Sequence, residues 1–257
     1  MSVALVTGAA RRLGRAMALE LAAQGHDVAI HYHGSKDEAE RTAADCRKAG
    51  VRAAIFNANL LDLDQTEMLM ARVVDGLGQV SVLVNNASIF DYDNMRTASR
   101  ESWDRHIGSN LRAPFVLSQA FALQAPKADR SGDEPVAGGL IVNMVDQRVL
   151  KPTPEFITYS LAKAALWDLT RTMAQALAPD IRVNAIGPGP TMQGARQSAD
   201  HFARQRAATI LERGADGADI RAALAYLLSA RAVTGQLICV DGGQHLGWKT
   251  PDILGVE

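Results

Sequence analysis

The chain has 257 residues, of which 47% are hydrophobic, and its 27 basic and 28 acidic side chains leave a formal net charge of −1. That hydrophobic fraction suffices for one large core, and the balanced charge offers no basic face for nucleic acid. Cys46 and Cys239 are the only two cysteines, so we expect no disulfide framework, no metal site and a reducing, cytoplasmic location. We also expect no signal peptide and no membrane span, because no apolar run approaches the ~18 residues that cross a bilayer.

Short β-branched segments alternate with longer amphipathic segments along the chain. The short segments predict strands at 3–7, 28–32, 52–57, 80–85, 139–145, 181–186 and 236–240. The longer segments predict helices at about 12–24, 36–49, 64–77, 100–125, 157–178 and 217–229. Such alternation implies right-handed βαβ crossovers, and therefore an α/β fold with one Rossmann-type, doubly wound parallel sheet of about seven strands. We expect helices on both faces of that sheet and a single domain spanning 1–257.

Two stretches lack the periodicity of a regular element. Residues 126–139 are polar and contain proline and glycine, which predicts a surface loop. Residues 188–215 follow a predicted strand late in the chain, and we interpret them as a substrate loop. Within that loop the candidate pocket residues are Met192, Gln193, His201 and Phe202.

The first predicted strand leads into TGAARRLG, residues 7–14. Gly8 directly follows the strand and precedes a helix, which is where a dinucleotide-binding protein places its phosphate turn. NAD-binding proteins carry Asp or Glu near the end of the second strand, but this chain reads HYHGS at 31–35. Arg12, His33 and Ser35 could instead bind a 2′-phosphate, so we expect NADPH as the cofactor. The alternative is that Arg11 and Arg12 are solvated charges at the start of a helix.

Later motifs suggest an active site. Asn85-Asn86-Ala87-Ser88 ends the fourth predicted strand, Asn110 lies inside a predicted helix, and Asp146 follows the fifth strand. Tyr159 and Lys163 share one helix face, so the ammonium should lower the pKa of the phenol and allow Tyr159 to exchange a proton near neutral pH. The same spacing also occurs on ordinary amphipathic helices.

Together and in this order, these motifs resemble the short-chain dehydrogenase/reductase family over nearly the whole chain, as do GPGPT at 187–191 and VDGG at 240–243. The resemblance implies that Asp146, Tyr159, Lys163 and Asn110 are catalytic, with Asn110 bending its helix and holding a water connected to the lysine. It also implies a homotetramer. The cofactor contacts that it implies, together with the turn, are Gly8, Arg12, Leu13, His33, Ser35, Asn59, Leu60, Asn86, Ala87, Tyr159, Lys163, Pro188, Gly189 and Thr191.

Two residues of this chain differ from those of most of the family, and they indicate a particular subgroup. Most of the family has Ser at the position of Asp146 and Gly at that of Arg12, whereas this combination is similar to pteridine reductases and dihydromonapterin reductases. Phe90 matches the aromatic residue that stacks on a pterin in that subgroup. The resemblance therefore implies a pterin site formed by Phe90, Asp146, Tyr159 and Arg12.

The sequence thus predicts an enzyme that transfers a hydride from NADPH to a dihydropterin-like small molecule, with proton delivery by Tyr159, Lys163 and Asp146. A reductase of another carbonyl, such as a 3-oxoacyl thioester or a small ketone, is the nearest alternative. A non-catalytic NADP-sensing protein is more remote, because it would not need the Tyr159–Lys163 pair.

Overall fold

The computed structural model describes residues 2–193 and 197–248. The strands are β1 (Val3–Val6), β2 (Asp27–Tyr32), β3 (Ala53–Asn57), β4 (Val80–Asn85), β5 (Gly139–Met144), β6 (Ile181–Pro188) and β7 (Leu237–Val240). The α-helices are α1 (Arg12–Ala23), α2 (Lys36–Lys48), α3 (Leu63–Leu77), α4 (Arg100–Ile107), α5 (Ala113–Gln124), α6 (Ile157–Ala176), α7 (Ala199–Ala207) and α8 (Gly217–Ser229).

The strands form one seven-stranded parallel sheet in the order β3-β2-β1-β4-β5-β6-β7. Its central strands are buried along their whole length, as expected for a parallel sheet covered on both faces. The strand order reverses between β1 and β4, and ligands of open α/β sheets bind in the crevice at such a point. The predicted Rossmann-type fold is confirmed.

Helices bury an apolar stripe against each face of the sheet. On one face Met17 and Leu21 of α1 pack with Leu224 of α8, and on the other Leu117 and Phe121 of α5 pack against the strands. Each pair on one helix is four residues apart, which places both side chains on the same side of that helix. The two cores fix the strand ends, and with them the loops that carry the site.

The predicted helix at 100–125 is wrong as a single element. The structure divides it into α4 and α5, joined by a π-helical turn at Gly108–Arg112 with Asn110 at its centre. The predicted substrate loop also contains a helix, α7, which begins after Ser198; the hydroxyl of Ser198 accepts a hydrogen bond from the His201 backbone. Residues 194–196 of that loop lie outside the described residues.

Candidate active site

The phosphate turn depends on two glycines. Gly8 has a φ of +62°, and a Cβ on Gly14 would lie 2.2 Å from the Gly8 carbonyl oxygen. Only a residue without a side chain allows α1 to pack so closely on the turn. The predicted role of Gly8 in shaping the turn is therefore consistent with the geometry.

Side chains from neighbouring strands hold this turn in place. The Asn86 side-chain amide donates to the Thr7 carbonyl at 2.8 Å, and the Ala87 backbone N–H donates to the Thr7 hydroxyl at 3.0 Å. On the other side the Gly8 N–H donates to Nδ1 of His31 at 3.0 Å, and Nε2 of His31 bonds the Ala58 carbonyl at 3.0 Å. Asn86 and Ala87 thus support the turn from β4.

His31 is a functional support that the sequence analysis missed. Burial lowers the pKa of His31 to about 4, so the ring is neutral at physiological pH and its Nδ1 can accept the Gly8 N–H. The parallel register pairs Ile30 with Val6, which places His31 beside the start of the turn. A prediction of how β2 pairs with β1 could therefore have indicated that His31 contacts the turn.

The N-terminus of α1 is open. No side chain caps it and its first turn contains no acidic residue, whereas Asp62, Ser99 and Asp216 cap α3, α4 and α8. Unsatisfied N–H groups and the positive end of the helix dipole favour an anion at this end. The turn therefore fits a dinucleotide phosphate.

Arg12 connects the turn to the substrate loop. Its backbone has a φ of +55°, and its guanidinium donates to the carbonyls of Met192 at 3.1 Å and Gln193 at 2.7 Å. No hydrogen bond in the described part of the chain joins Arg12 to His33 or Ser35. The structure therefore does not assemble the predicted 2′-phosphate set as one cluster.

Tyr159, Asp146 and Lys163 converge at the carboxyl end of β5. The Tyr159 hydroxyl donates to Oδ2 of Asp146 at 2.9 Å, and the Lys163 ammonium donates to the Met144 carbonyl at 2.7 Å. The Lys163 Nζ lies 5.8 Å from the centre of the Tyr159 ring. Tyr159 and Lys163 are both buried. The structure thus brings these three side chains together; we call them the acid–base cluster, and their catalytic roles stay predictions.

The predicted effect of Lys163 on Tyr159 is wrong for this structure. Burial and the adjacent Asp146 carboxyl raise the pKa of Tyr159 well above its ordinary value. Burial also raises the pKa of Asp146 and lowers that of Lys163 to about 8. The physical reason is that the tyrosine hydroxyl bonds to an acid while the ammonium is held by a backbone carbonyl. The Tyr159 hydroxyl and the Asp146 carboxyl are therefore coupled, and the proton between them is shared by both groups.

Asn110 holds the loop that follows β4. Its side-chain amide donates to the Ile89 carbonyl at 2.8 Å, and its oxygen accepts the Ile89 N–H at 2.9 Å. The side chain is fully buried in the π-helical turn, a feature that is frequent at functional sites. Asn110 therefore positions the segment carrying Phe90, while its role in holding a water stays a prediction.

An aromatic cluster borders Tyr159. Phe90 stacks on Phe156 with ring centres 4.2 Å apart and meets the Tyr159 ring at 4.6 Å in an edge-on arrangement. Tyr92 contacts Phe156 edge-on at 5.2 Å. Phe156 has a left-handed backbone with a φ of +57°, and its N–H donates to the Asp93 carbonyl. The sequence does not predict a role for Phe156, because its left-handed backbone leaves no local sequence signal.

A buried hydrogen-bond chain lies beneath the aromatic cluster. The Thr158 hydroxyl bonds the Asp93 carboxylate, and the His106 Nδ1 lies 2.6 Å from that hydroxyl. The Asp91 N–H donates to Nε2 of His106 at 3.0 Å. This chain ties the loop after β4 to α4 and to the start of α6, directly before Tyr159.

A cavity of about 1120 Å³ runs from the phosphate turn to the acid–base cluster. Of the predicted site residues, those that line it are Arg12, Leu13, Asn86, Phe90, Asp146, Tyr159, Lys163, Pro188, Gly189, Thr191, Met192, His201 and Phe202. The predicted residues that are not among its lining are Gly8, Ala87, Asn110, Gln193, His33, Ser35, Asn59 and Leu60. The last four of these follow β2 and β3, on the far side of the turn.

The described residues lack a membrane-spanning helix and a metal-binding cluster. None of the helices there is long and apolar enough to cross a membrane. In the same part of the chain no group of three His, Cys, Asp or Glu side chains could hold a metal ion.

Comparison with known proteins decides the family. A family model described as enoyl-(acyl carrier protein) reductase matches residues 8–245. A short-chain type dehydrogenase/reductase from Picea abies is 30% identical over 262 residues, which cover 94% of this chain and 92% of the relative. The chain belongs to the short-chain dehydrogenase/reductase family.

Two other relatives of this short-chain dehydrogenase/reductase differ in their named activities. The crystal structure of FolM alternative dihydrofolate reductase 1 from Brucella suis, in complex with NADP, is 42% identical, covers 98% of each chain and superposes with a TM-score of 0.91. The 3-oxoacyl-acyl-carrier-protein reductase FabG of Staphylococcus epidermidis is 35% identical over 248 residues, covering 95% of this chain and 98% of the relative. The family and its reductase chemistry are common to both, whereas the substrates differ.

Proposed function

We propose that this short-chain dehydrogenase/reductase reduces a dihydropterin with NADPH. The observation that carries the proposal is the 2.9 Å hydrogen bond from the Tyr159 hydroxyl to Asp146, a carboxyl group where most of the family has a serine. Reduction of a pterin ring requires a proton at a ring nitrogen, and a carboxyl next to the tyrosine is suited to store one. The similarity to the FolM reductase supports the same substrate class.

NADPH is the cofactor that the chain's own residues favour. The open N-terminus of α1 fits a phosphate, and HYHGS at the end of β2 contains no carboxylate that would repel a 2′-phosphate. The NADP complex of the FolM relative supports this assignment. We further propose that Asn59 and Leu60 lie at the adenine end, and that Pro188, Gly189 and Thr191 flank the nicotinamide.

The acid–base cluster would deliver the proton. NADPH, when bound, supplies the hydride. Tyr159 donates its hydroxyl proton to the ring nitrogen next to the reduced carbon, and Asp146, whose pKa burial raises, returns a proton to the phenolate. The Lys163 ammonium, fixed by the Met144 carbonyl, would contact the cofactor rather than the Tyr159 hydroxyl. Phe90 would pack against the flat substrate.

A 3-oxoacyl thioester is the second candidate substrate, because the FabG relative is named for that activity. In that reaction negative charge develops on the substrate oxygen, next to the Tyr159 hydroxyl. A serine hydroxyl can donate a hydrogen bond to that oxygen, so this reaction gives no reason for a proton-storing acid at position 146. The Tyr159–Asp146 contact therefore favours the pterin.

Steady-state kinetics would test the assignment. NADPH oxidation by the purified chain would be compared for dihydrobiopterin, dihydrofolate, acetoacetyl-coenzyme A and a small ketone. We expect kcat/KM to be higher for the dihydropterins by at least about tenfold, a difference of ~1.4 kcal/mol. Faster turnover of the thioester would contradict the proposal, and NADPH binding with no turnover of any substrate would favour a sensing protein.

We also propose that the chain forms a homotetramer. Large apolar side chains are exposed along α4, α5 and α6, at Trp103, Phe115, Leu123 and Leu161. Sedimentation at equilibrium would test this assembly, and a monomer would contradict it. The cytoplasmic location stays a prediction.

A further inference from the structure

Arg148 lies between the acid–base cluster and the aromatic cluster. It belongs to the short 3₁₀ turn Gln147–Val149, and its backbone N–H donates to Oδ1 of Asp146 at 2.9 Å. Its guanidinium carbon lies 5.0 Å from the centre of the Phe156 ring and 5.5 Å from that of Phe90. The side chain lines the cavity. Two aromatic rings therefore hold a cation in the substrate half of the site.

In the part of the chain that the structure describes, no acid is hydrogen-bonded to the guanidinium of Arg148. Its Nη1 is buried and has no hydrogen-bond partner among the described residues. The carboxyl of Asp146 is nearby, but Oδ1 accepts the backbone N–H of Arg148 and Oδ2 accepts the Tyr159 hydroxyl. A buried donor nitrogen without a partner costs free energy, and a planar guanidinium is best satisfied by a carboxylate that it can bind with two nitrogens.

Two other cations that line the cavity, Arg105 and Lys163, are already satisfied. Arg105 pairs with Asp91 at 3.2 Å, and Lys163 donates to the Met144 carbonyl at 2.7 Å. The cofactor phosphates are expected at the start of α1, which follows β1. Arg148 instead follows β5 and packs on Phe90, so its missing partner belongs to the substrate.

We propose that Arg148 binds an acidic group of the substrate, so that the enzyme prefers dihydropterins whose side chain carries a carboxylate, as in folates. This inference rests on the proposed dihydropterin reductase function. Arg148 is then a specificity residue, while Tyr159 and Asp146 perform the proton transfer.

A matched pair of substrates would test this role. Dihydrofolate and its dimethyl ester have the same rings, but only the first carries carboxylates. We expect a kcat/KM ratio of at least about tenfold in favour of dihydrofolate, arising in KM, and we expect Arg148→Met to bring the ratio close to one. Arg148→Lys, which keeps the charge but not the two-nitrogen geometry, should give an intermediate ratio and serves if Arg148→Met does not fold.

Arg105→Met is the control, because it removes an arginine from the same cavity wall whose charge is paired with Asp91. It should leave the ratio between dihydrofolate and its diester as in the wild type. A ratio that survives both Arg148 substitutions would overturn the inference. An equal loss of kcat/KM for both substrates, together with a shifted pH profile, would also overturn the inference, because Arg148 would then act through Asp146.

The same experiment distinguishes this inference from the proposed function. If the wild-type enzyme reduces both pterins and the ratio does not depend on Arg148, only the inference fails. If it reduces no dihydropterin, the proposed function fails and the inference with it.

Discussion

The two ends of the cavity are constructed differently. At the phosphate turn, Thr7, His31 and Asn86 bond mainly to backbone groups and hold a fixed loop in front of α1. At the substrate end, Phe90, Arg148 and Phe156 come from separate loops and contact one another through their side chains. The first arrangement serves any dinucleotide, whereas the second depends on the shape and charge of a particular substrate. Specificity should therefore change at the second end without disturbing the first.

Tyr159→Phe should give the largest effect and would show that chemistry resides at the substrate end. Without the hydroxyl that donates to Asp146, we expect kcat to fall by about 10²–10⁴-fold while NADPH affinity changes little. Turnover and NADPH binding by fluorescence titration would measure both. NADPH oxidation at the wild-type rate would contradict the enzymatic role.

His31→Asn would test the phosphate-turn end through its pH dependence. In the unfolded chain, His31 binds a proton once the pH falls below the ordinary histidine pKa of 6.5. In the folded chain it does so only near its lowered pKa of about 4. The free energy of unfolding of the wild type should therefore decrease by about 3 kcal/mol more than that of the variant as the pH falls from 7 to 4. Urea unfolding at each pH would measure this difference.

An exposed histidine provides the control for that comparison. His201→Asn serves here, because it also replaces a histidine with asparagine but at an exposed position of α7. Parallel stability curves for the wild type and His31→Asn would show that the turn does not depend on a neutral His31.

Asp146→Ser restores the residue that most of the family has and should reduce kcat for dihydropterins by about tenfold to a hundredfold. The reason is that serine cannot store the proton that Asp146 shares with Tyr159. Asp168→Ser, at an exposed acid on the same helix as Tyr159, should leave kcat unchanged. Undiminished pterin turnover by Asp146→Ser would remove the main support for the pterin assignment.

Arg12→Gly should have the smallest effect. It tests whether Arg12 only links the phosphate turn to the substrate loop or also binds the cofactor. The variant loses the bonds to Met192 and Gln193 but relieves a left-handed backbone, so its stability should change by less than about 1 kcal/mol. If Arg12 also binds a 2′-phosphate, the affinity for NADPH should fall about tenfold more than that for NADH. Equal losses for the two cofactors would limit Arg12 to the substrate loop.

Much of the fold could be predicted because the information is local. Apolar strands followed by helices with a four-residue apolar repeat determine a parallel sheet, and all seven predicted strands occur. The π-helical turn at Asn110 could not be placed from periodicity, since it accompanies hydrogen bonds to Ile89, which lies 21 residues away. Helix α7 was missed although Ser198 is an ordinary N-cap residue.

The site residues also divide into those that a local spacing predicts and those that only the folded chain brings together. The turn and the Tyr159–Lys163 pair have fixed spacings, so sequence alone identified them. Arg148 and Phe156 matter only because folding places both against Phe90, and Phe156 takes its left-handed backbone beside Asp93. No spacing rule connects these positions, and the same holds for His31, which depends on strand register.

The open end of α1 has a consequence for the lifetime of the protein. A nucleotide that binds only the folded chain adds about 2.7 kcal/mol of stability when its concentration is a hundred times Kd. Because this helix lacks a side-chain cap of its own, a bound phosphate would do what Asp62 and Asp216 do for their helices. Nucleotide binding at this helix terminus would therefore also slow degradation of the chain.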